Sequence, residues 1–183
     1  MKNLLAAAVV LSFFTAVAKA QDENPFKKAT VGEWAEYKLD TTTNNIKLNG
    51  KMRITVKAKT DTTATIRTTV NINDQEVSAQ DTTIDLSKPF DPTSTTGLPA
   101  SAEAKVEKVG EPKTEKITVG GKQIESTLQT VKVTATVMGK PFDSEIKVWT
   151  SKDLPLAGLA KMDVRSKLAD MQITYTGSGM VGK

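Results

Sequence analysis

The stretch Ile46–Lys59, IKLNGKMRITVKAK, alternates between apolar and polar residues along most of its length. A period of two places successive side chains on opposite sides of a β-strand. The pattern therefore predicts a strand with one face toward a core and the other toward water. Asn49 and Gly50 interrupt it and predict a turn or a bulge. The apolar members fall on even positions: Ile46, Leu48, Met52, Ile54, Val56 and Ala58.

The same alternation continues on both sides of this stretch and decides the fold class. We predict an all-β protein with little helix, in which about eight to ten antiparallel strands form one strongly curved sheet or half-open β-barrel. Gly120 and Gly121 predict a tight hairpin turn in the second half. Further strands are expected at residues 33–39, 63–72, 76–86, 114–119, 160–167 and 171–176.

Two segments deviate from simple alternation. Residues 101–109 fit either a short helix after a serine cap or a strand, and we favour a strand. Between Leu128 and Val131 the apolar positions change from even to odd. This change predicts a bulge near Gln129 and Thr130.

The first twenty residues have the features of a secretory signal peptide. Lys2 precedes an uncharged apolar run, and Ala18-Lys19-Ala20 fits the pattern that signal peptidase cuts before Gln21. The mature protein is expected in the periplasm or outside the cell, without a lipid anchor or a transmembrane segment. The predicted order is a signal peptide (1–20), an N-terminal segment (21–30), one antiparallel β domain (31–176) with a loop between its halves (87–100), and a flexible tail (177–183).

The composition argues against several classes of function. The chain has no cysteine and no histidine. It therefore lacks a disulfide framework, the commonest general base and the commonest zinc ligand. Loss of Lys2 and Lys19 with the signal peptide lowers the net charge from +4 to +2, which is small for a protein that binds nucleic acid. We predict neither enzyme activity nor a cofactor or metal.

The odd positions of the quoted stretch form the strongest charge feature. They carry Lys47, Lys51, Arg53, Lys57 and Lys59. This cationic row is consistent with contact to anionic lipid headgroups or acidic polysaccharide. It is equally typical of a solvated sheet face whose lysines discourage aggregation, and we favour that interpretation.

Two clusters of aromatic and bulky apolar residues supply the candidate site. One is close to the start of the domain; the other follows Trp149, where Pro155 bends the chain. Core packing is the usual role of such residues, but an apolar loop can also rim the mouth of a hydrophobic cavity. The candidate ligand-binding residues are Trp34, Tyr37, Trp149, Leu154, Leu156, Leu159 and Met162.

Residues 147–162, KVWTSKDLPLAGLAKM, resemble a pattern of uncharacterised bacterial secreted proteins in which a strand ending in Trp-x-Ser leads into a proline bend. Their layout is similar to the half-open barrel of the LolA and LolB lipoprotein carriers. The resemblance covers mainly residues 112–176. It implies a curved antiparallel sheet around an apolar cavity for acyl chains. The sequence departs from LolB in having no cysteine for an anchor, and from both in having no clear helices to close the open side.

Two functions are compatible with these features. The first is a non-enzymatic secreted or periplasmic protein that binds a lipid or another hydrophobic ligand in the curved sheet. The alternative is a structural or interaction protein of the cell envelope, with a filled core and no ligand. The continuous apolar face favours the first, and the presence of interior space for a ligand would distinguish them. A hydrolase that uses paired carboxylates is a distant third.

Overall fold

A computed structural model describes residues 24–43, 46–88, 104–137, 140–156, 158–167 and 169–181. These residues form nine strands and one short 3₁₀-helix, Pro25–Lys27. No helix in these ranges is long and apolar enough to cross a membrane. The predicted signal peptide and most of the predicted loop at 87–100 lie outside the described residues. The strands are β1 (Glu33–Thr43), β2 (Ile46–Lys59), β3 (Thr63–Ile72), β4 (Gln75–Asp85), β5 (Ala104–Val119), β6 (Lys122–Val137), β7 (Lys140–Thr150), β8 (Leu159–Ser166) and β9 (Asp170–Met180).

All nine strands belong to one antiparallel sheet that curves but does not close. Their spatial order is β4-β3-β2-β1-β9-β8-β7-β6-β5, so β4 and β5 are its two edges. Every connection joins neighbouring strands except that from β4 to β5, which links the two edges, and the last strand, β9, pairs with the first, β1. The predicted fold class is confirmed, including the strand in the second half of residues 101–109.

Alternation in the strands separates an inner, apolar face from an outer, mostly polar face. In β2, Met52, Ile54 and Val56 are buried, whereas Lys51, Arg53 and Lys57 are exposed. The inner face of the sheet carries one large cluster of buried side chains, called here the main core. It draws residues from eight strands, from Ala35 and Tyr37 in β1 to Met171 and Ile173 in β9.

The predicted interruption at Asn49 and Gly50 is wrong, because β2 continues through both residues. Gly50 pairs with Leu39 on one side and Ile72 on the other. A Cβ atom at Gly50 would lie 2.4 Å from the carbonyl oxygen of Asn71. The glycine therefore permits a close approach between adjacent backbones rather than a turn.

The predicted flexible tail is also wrong in its first part, since β9 continues to Met180. Gly179 pairs with Trp34, and Glu33 pairs with Met180. A Cβ atom at Gly179 would come within 2.9 Å of the Trp34 ring, so the indole packs directly against the glycine backbone. The large ring supplies the packing that a glycine cannot provide for itself, and it holds the end of β9 in the sheet.

The change of parity in β6 has a different cause from the predicted bulge in that strand. β6 pairs with β7 without interruption: Gln129 lies opposite Val148, and Thr130 lies opposite Lys147. The irregularity is in β5, where the pairing with β6 shifts between Val109 and Lys113, opposite Gln129. The apolar residues change parity because the first half of β6 contributes to a cluster on the outer face.

The N-terminal segment crosses the inner face and closes part of it. Phe26 is 1% exposed and belongs to the main core. Asn24 accepts a hydrogen bond from the Phe26 amide and donates to the carbonyl oxygens of Asp85 (3.2 Å) and Lys88 (3.3 Å). Lys59 adds a hydrogen bond from its Nζ to the Ala29 carbonyl oxygen (2.8 Å). Residues 24–30 are thus attached to β2 and to the end of β4.

Candidate functional site

Four of the seven candidate residues lie in the main core on the inner face. Tyr37 and Met162 are fully buried, and Leu156 and Leu159 are nearly so. Leu156 adopts a φ of +54°, which is unfavourable for a side chain with a Cβ atom. Its burial in the main core offsets that strain. These side chains therefore contribute to the apolar surface that an inner-face ligand would contact.

Two other candidates, Trp149 and Leu154, belong to a separate group called here the Trp149 cluster. Trp149 is the neighbour of Val148, a main-core residue, so alternation directs its side chain to the outer face. Its indole Nε1 donates to the carboxylate of Glu115, and the Lys161 Nζ lies 4.7 Å from its ring centroid. The buried members are Val119, Trp149 and Ala160, and the half-buried members are Ile117, Ile124, Leu128, Leu154 and Tyr175.

Trp34 is separated from both groups. It lies half-buried on the outer face, where the Arg53 guanidinium carbon is 4.4 Å from the ring centroid. Arg53 also pairs with Glu36 at 2.8 Å. One face of the indole is therefore covered by a cation and its edge by Gly179. The structure does not bring the seven candidate residues together into one site, and their role in ligand binding stays a prediction.

The cationic row is partly neutralised within the protein. Arg53 is engaged with Glu36 and Trp34, and Lys59 donates to the carbonyl oxygens of Lys27 and Ala29. The neighbouring strands add Lys38–Asp40 and Arg67–Asp81 pairs to the same outer face. This mixture of positive and negative charges is more typical of a solvated face than of a surface dedicated to binding anions.

The pKa shifts of Tyr37 and Asp81 have contrasting causes. Burial raises the pKa of the Tyr37 hydroxyl well above its usual range, with a further contribution from Tyr175. The two tyrosine rings meet edge to face with centroids 6.0 Å apart. On the outer face, hydrogen bonds from Arg67 lower the pKa of Asp81. Neither group is placed for proton transfer to a bound molecule, and no cluster of three or more potential metal ligands occurs in the described part of the chain.

One groove of about 530 Å³ opens where β6, β7 and β8 run side by side. Val133, Ser144 and Ser166 lie directly opposite one another in adjacent strands and form the middle row of its lining. Val133 belongs to the main core, so alternation directs its side chain and that of Ser144 to the inner face, and the groove opens on the outer face between their strand neighbours. The remaining lining residues are Lys132, Thr134, Asp143, Glu145, Arg165 and Lys167.

Sequence reasoning missed three residues that shape the inner face: Asn24, Phe26 and Ser144. Asn24-Pro25 is a recognisable start signal for a helical turn. The burial of Phe26 had no such signal, because it depends on where residues 24–30 dock on the inner face of the sheet. Alternation puts Ser144 on the same side of β7 as Ile146 and Val148, but its burial depends on the neighbouring strands β6 and β8.

Comparison with solved structures identifies proteins of the same fold. A candidate exported protein with a YmcC-like fold from Bacteroides fragilis NCTC 9343 has a TM-score of 0.54 at 7% identity, covering 82% of this chain and 96% of the other. A candidate lipoprotein from Parabacteroides distasonis ATCC 8503 has a TM-score of 0.52 at 12% identity, covering 87% and 100%. At these identities the similarity shows the fold alone.

A LolA superfamily protein from Nitrosomonas europaea is also similar, with a TM-score of 0.31 at 6% identity over 92% of this chain and 94% of the other. No protein-family model matches the sequence, and no curated protein matches it significantly.

Proposed function

We propose that the mature protein is an exported, non-enzymatic envelope protein that holds a lipid or another hydrophobic ligand against the inner face of its sheet. The observation that supports this most strongly is the inner face itself, a continuous apolar surface on an open sheet. Open apolar concavities with a few polar groups at the margin are typical ligand sites. The descriptions of two proteins of similar fold, one exported and one a lipoprotein, agree with an envelope location.

A filled core without a ligand is the competing function, and the burial of the inner face favours it. Tyr37, Ile146 and Met162 are fully buried by the protein's own residues. Phe26 and Leu156 already cover part of the sheet. On this alternative the protein would be a structural or interaction partner of other envelope components, and its inner face would admit no further group.

Substitution of Val133 by Phe distinguishes the two functions. If the inner face beside Val133 holds ligand, the larger ring occupies part of that space, the protein stays folded, and uptake of a fluorescent fatty acid falls. If the core is filled, the ring overpacks it and lowers the free energy of unfolding by about 1–3 kcal/mol. Lys132→Phe is the matched control, because it places the same ring on the outer face one residue away.

The wild-type protein is tested in parallel. Native mass spectrometry of the gently purified mature protein is expected to show a bound apolar ligand, and titration with a dansyl-labelled fatty acid is expected to saturate. A protein that carries no ligand and also fails to take up the labelled fatty acid contradicts the proposed function. A destabilised Val133→Phe variant would add support for the filled core.

A further inference from the structure

The inner face of the sheet is covered unequally at its two ends. At one end, where β2 and β4 finish, Phe26 and the segment attached to Lys59 lie over the sheet. Leu156, from the connection between β7 and β8, joins the main core at this same end. At the opposite end, where β1 finishes and β2 begins, apolar side chains of the inner face stay accessible to water.

Three of these accessible side chains form a row, called here the Ile46 strip: Ile46, Leu48 and Ile72. Ile46 and Leu48 have the same parity as Met52 in β2, and β2 pairs with β1 without a shift, so both point to the inner face. Ile72 pairs with Gly50, the next even position, and covers the space that a side chain at Gly50 would fill. Ile46 is 49% exposed, and Leu48 and Ile72 are half-buried.

The Ile46 strip is continuous with the main core. Ile72 packs against that core directly. Leu48 lies opposite Thr41, which in turn lies opposite Met171, a buried member of the core. Apolar contact therefore extends from the interior of the protein to solvent at this end of the sheet.

The positions beside the strip carry no charge. Thr41 and Thr43 lie opposite Leu48 and Ile46, and Gln75 lies opposite Ile72. The lysines of the same stretch, Lys47 and Lys51, have the other parity and belong to the outer face. A charged group bound on the strip would lose water without gaining an ionic partner. The complementary occupant is therefore hydrocarbon.

The size of the strip indicates which hydrocarbon. Three side chains are far fewer than the roughly 20–30 residues that each partner contributes to a stable protein interface, so a second copy of the chain is a poor occupant. From Ile46 to Gly50 the strip is about 13 Å long, at about 3.3 Å per residue. It is only one to two strands wide. A long, narrow apolar surface suits a single flexible chain better than a broad ring system.

We propose that the Ile46 strip binds the hydrocarbon chain of an acyl ligand, which lies along β2 against Ile46, Leu48 and Ile72. This inference rests on the proposed function and makes it specific, because it assigns the ligand to the uncovered end of the inner face. It also accounts for a buried core in a ligand-binding protein. The chain extends the main core at its accessible margin and displaces none of the side chains buried at its centre.

The test is the Ile46→Ser variant, with Val109→Ser as the matched control. Both exchange an exposed β-branched apolar residue of a strand for serine, and Val109 is 40% exposed at the β5 edge of the sheet. Neither should change the thermal midpoint appreciably, since neither residue is buried. The affinity for a dansyl-labelled fatty acid is expected to fall roughly three- to tenfold in Ile46→Ser, because about half of an isoleucine side chain loses its apolar contact. It should not change in Val109→Ser.

Photo-cross-linking locates the chain without relying on a variant. A fatty acid with a diazirine near the end of its chain is irradiated with the wild-type protein, and the labelled peptides are identified by mass spectrometry. Labels are expected within residues 39–51, which contain Ile46 and Leu48. Labels confined to other strands contradict the inference.

Vesicles of phosphatidylcholine separate a bound chain from contact with a membrane surface. If Ile46→Ser lowers co-sedimentation with the vesicles but leaves the affinity for the labelled fatty acid unchanged, the strip contacts membranes and the inference is wrong. A large fall in the thermal midpoint of Ile46→Ser would show that the protein itself covers the strip, which also contradicts the inference.

The failure of this inference can be distinguished from that of the proposed function. If the wild-type protein and Ile46→Ser bind the labelled fatty acid equally well, the site is wrong while the ligand-binding function stands. If Val133→Phe lowers uptake and Ile46→Ser does not, the ligand lies elsewhere on the inner face. If the wild-type protein binds no fatty acid at all, both proposals are contradicted.

Discussion

The main core and the Trp149 cluster occupy opposite faces of the same sheet and are organised differently. The main core draws on eight strands, and its largest members, such as Tyr37 and Met162, are fully buried. The Trp149 cluster is confined to the end of the sheet where β5 and β6 form a hairpin, and five of its eight members are only half-buried. Tyr175 contacts both clusters and marks the boundary between them.

The difference shows two ways of stabilising a single open sheet. Most of the fold depends on one apolar face, which curvature and the N-terminal segment protect from water. The β5–β6 hairpin extends past the end of β7, since Thr127 pairs with the last residue of that strand, Thr150. A hairpin that projects in this way needs its own packing, which Trp149, Ala160 and the Glu115 hydrogen bond supply on the outer face.

The largest expected effect is in the main core. Met162→Ala should lower the free energy of unfolding by about 2–5 kcal/mol, because it leaves a cavity in a fully buried position. Urea denaturation followed by circular dichroism measures the change. The adjacent variant Lys161→Ala, on the outer face beside Trp149, should cost less than about 1 kcal/mol. Equal losses at the two positions would mean that the faces are not energetically distinct.

The next effect is in the Trp149 cluster. Trp149→Phe retains an aromatic ring but removes the hydrogen bond to Glu115, and about 1–3 kcal/mol of stability should be lost. Trp34→Phe is the matched control on the same face, where the contacts are the Arg53 guanidinium and the Gly179 backbone. Its loss should be about 1 kcal/mol or less. Because the chain has two tryptophans, each variant leaves the other as the sole indole reporter of unfolding.

The main core was largely predictable from the sequence, whereas the Trp149 cluster was predictable only in fragments. A period of two assigns Met52, Ile54 and Val56 to one face from local information alone. The same rule put Trp149 on the face opposite Val148 and detected the change of parity in β6. Alternation could not show that Trp149 and the first half of β6 belong to one cluster, because Val119 and Ala160 join that cluster through pairings between residues far apart in the sequence.

The candidate site was predictable to a similar extent. Tyr37 and Met162 were chosen because they are large and mainly apolar, but residue type does not say whether they face a core or a ligand. The groove beside Ser144 arises from three strands whose register is fixed by pairing. The docking of Phe26 depends on hydrogen bonds between Asn24 and carbonyl groups at the end of β4, more than sixty positions away. Such contacts carry no local signature.

The free energy of unfolding at alkaline pH should depend on Tyr37, whose ring contacts Tyr175 at the boundary between the two clusters. Burial raises the pKa of Tyr37 above the value of about 10 for an exposed tyrosine. The folded state therefore holds the neutral phenol more strongly than the unfolded state does. This contribution is complete below about pH 10 and is lost progressively as the pH rises, because the unfolded chain ionises first.

Tyr37→Phe should remove this part of the alkaline loss of stability, so that the variant and the wild-type protein converge or cross as the pH increases. Tyr175→Phe, at the half-buried partner ring, serves for comparison and should retain most of the wild-type dependence, because burial is the larger cause of the raised pKa of Tyr37. The effect of each variant is measured by comparing its denaturation midpoints across the alkaline range with those of the wild-type protein. Parallel curves for Tyr37→Phe and the wild-type protein would contradict the burial of this hydroxyl as the cause.

The smallest effect is expected where the outer face has no apolar cluster. Across β3 and β4, Arg67 donates two hydrogen bonds to the Asp81 carboxylate, at 2.7 and 2.8 Å. These bonds lower the pKa of Asp81, so the pair stabilises the fold fully above the unfolded value of about 3.9 and loses its effect as the pH falls through the lower folded value. Both side chains are well exposed, so salt should screen the interaction.

A double-mutant cycle with Arg67→Gln and Asp81→Asn should give a coupling energy that is small at neutral pH, smaller in high salt and absent in strong acid. A coupling that survives high salt would place this pair among the specific contacts of the fold and would weaken the contrast between an ionic outer face on β1–β4 and an apolar one around Trp149.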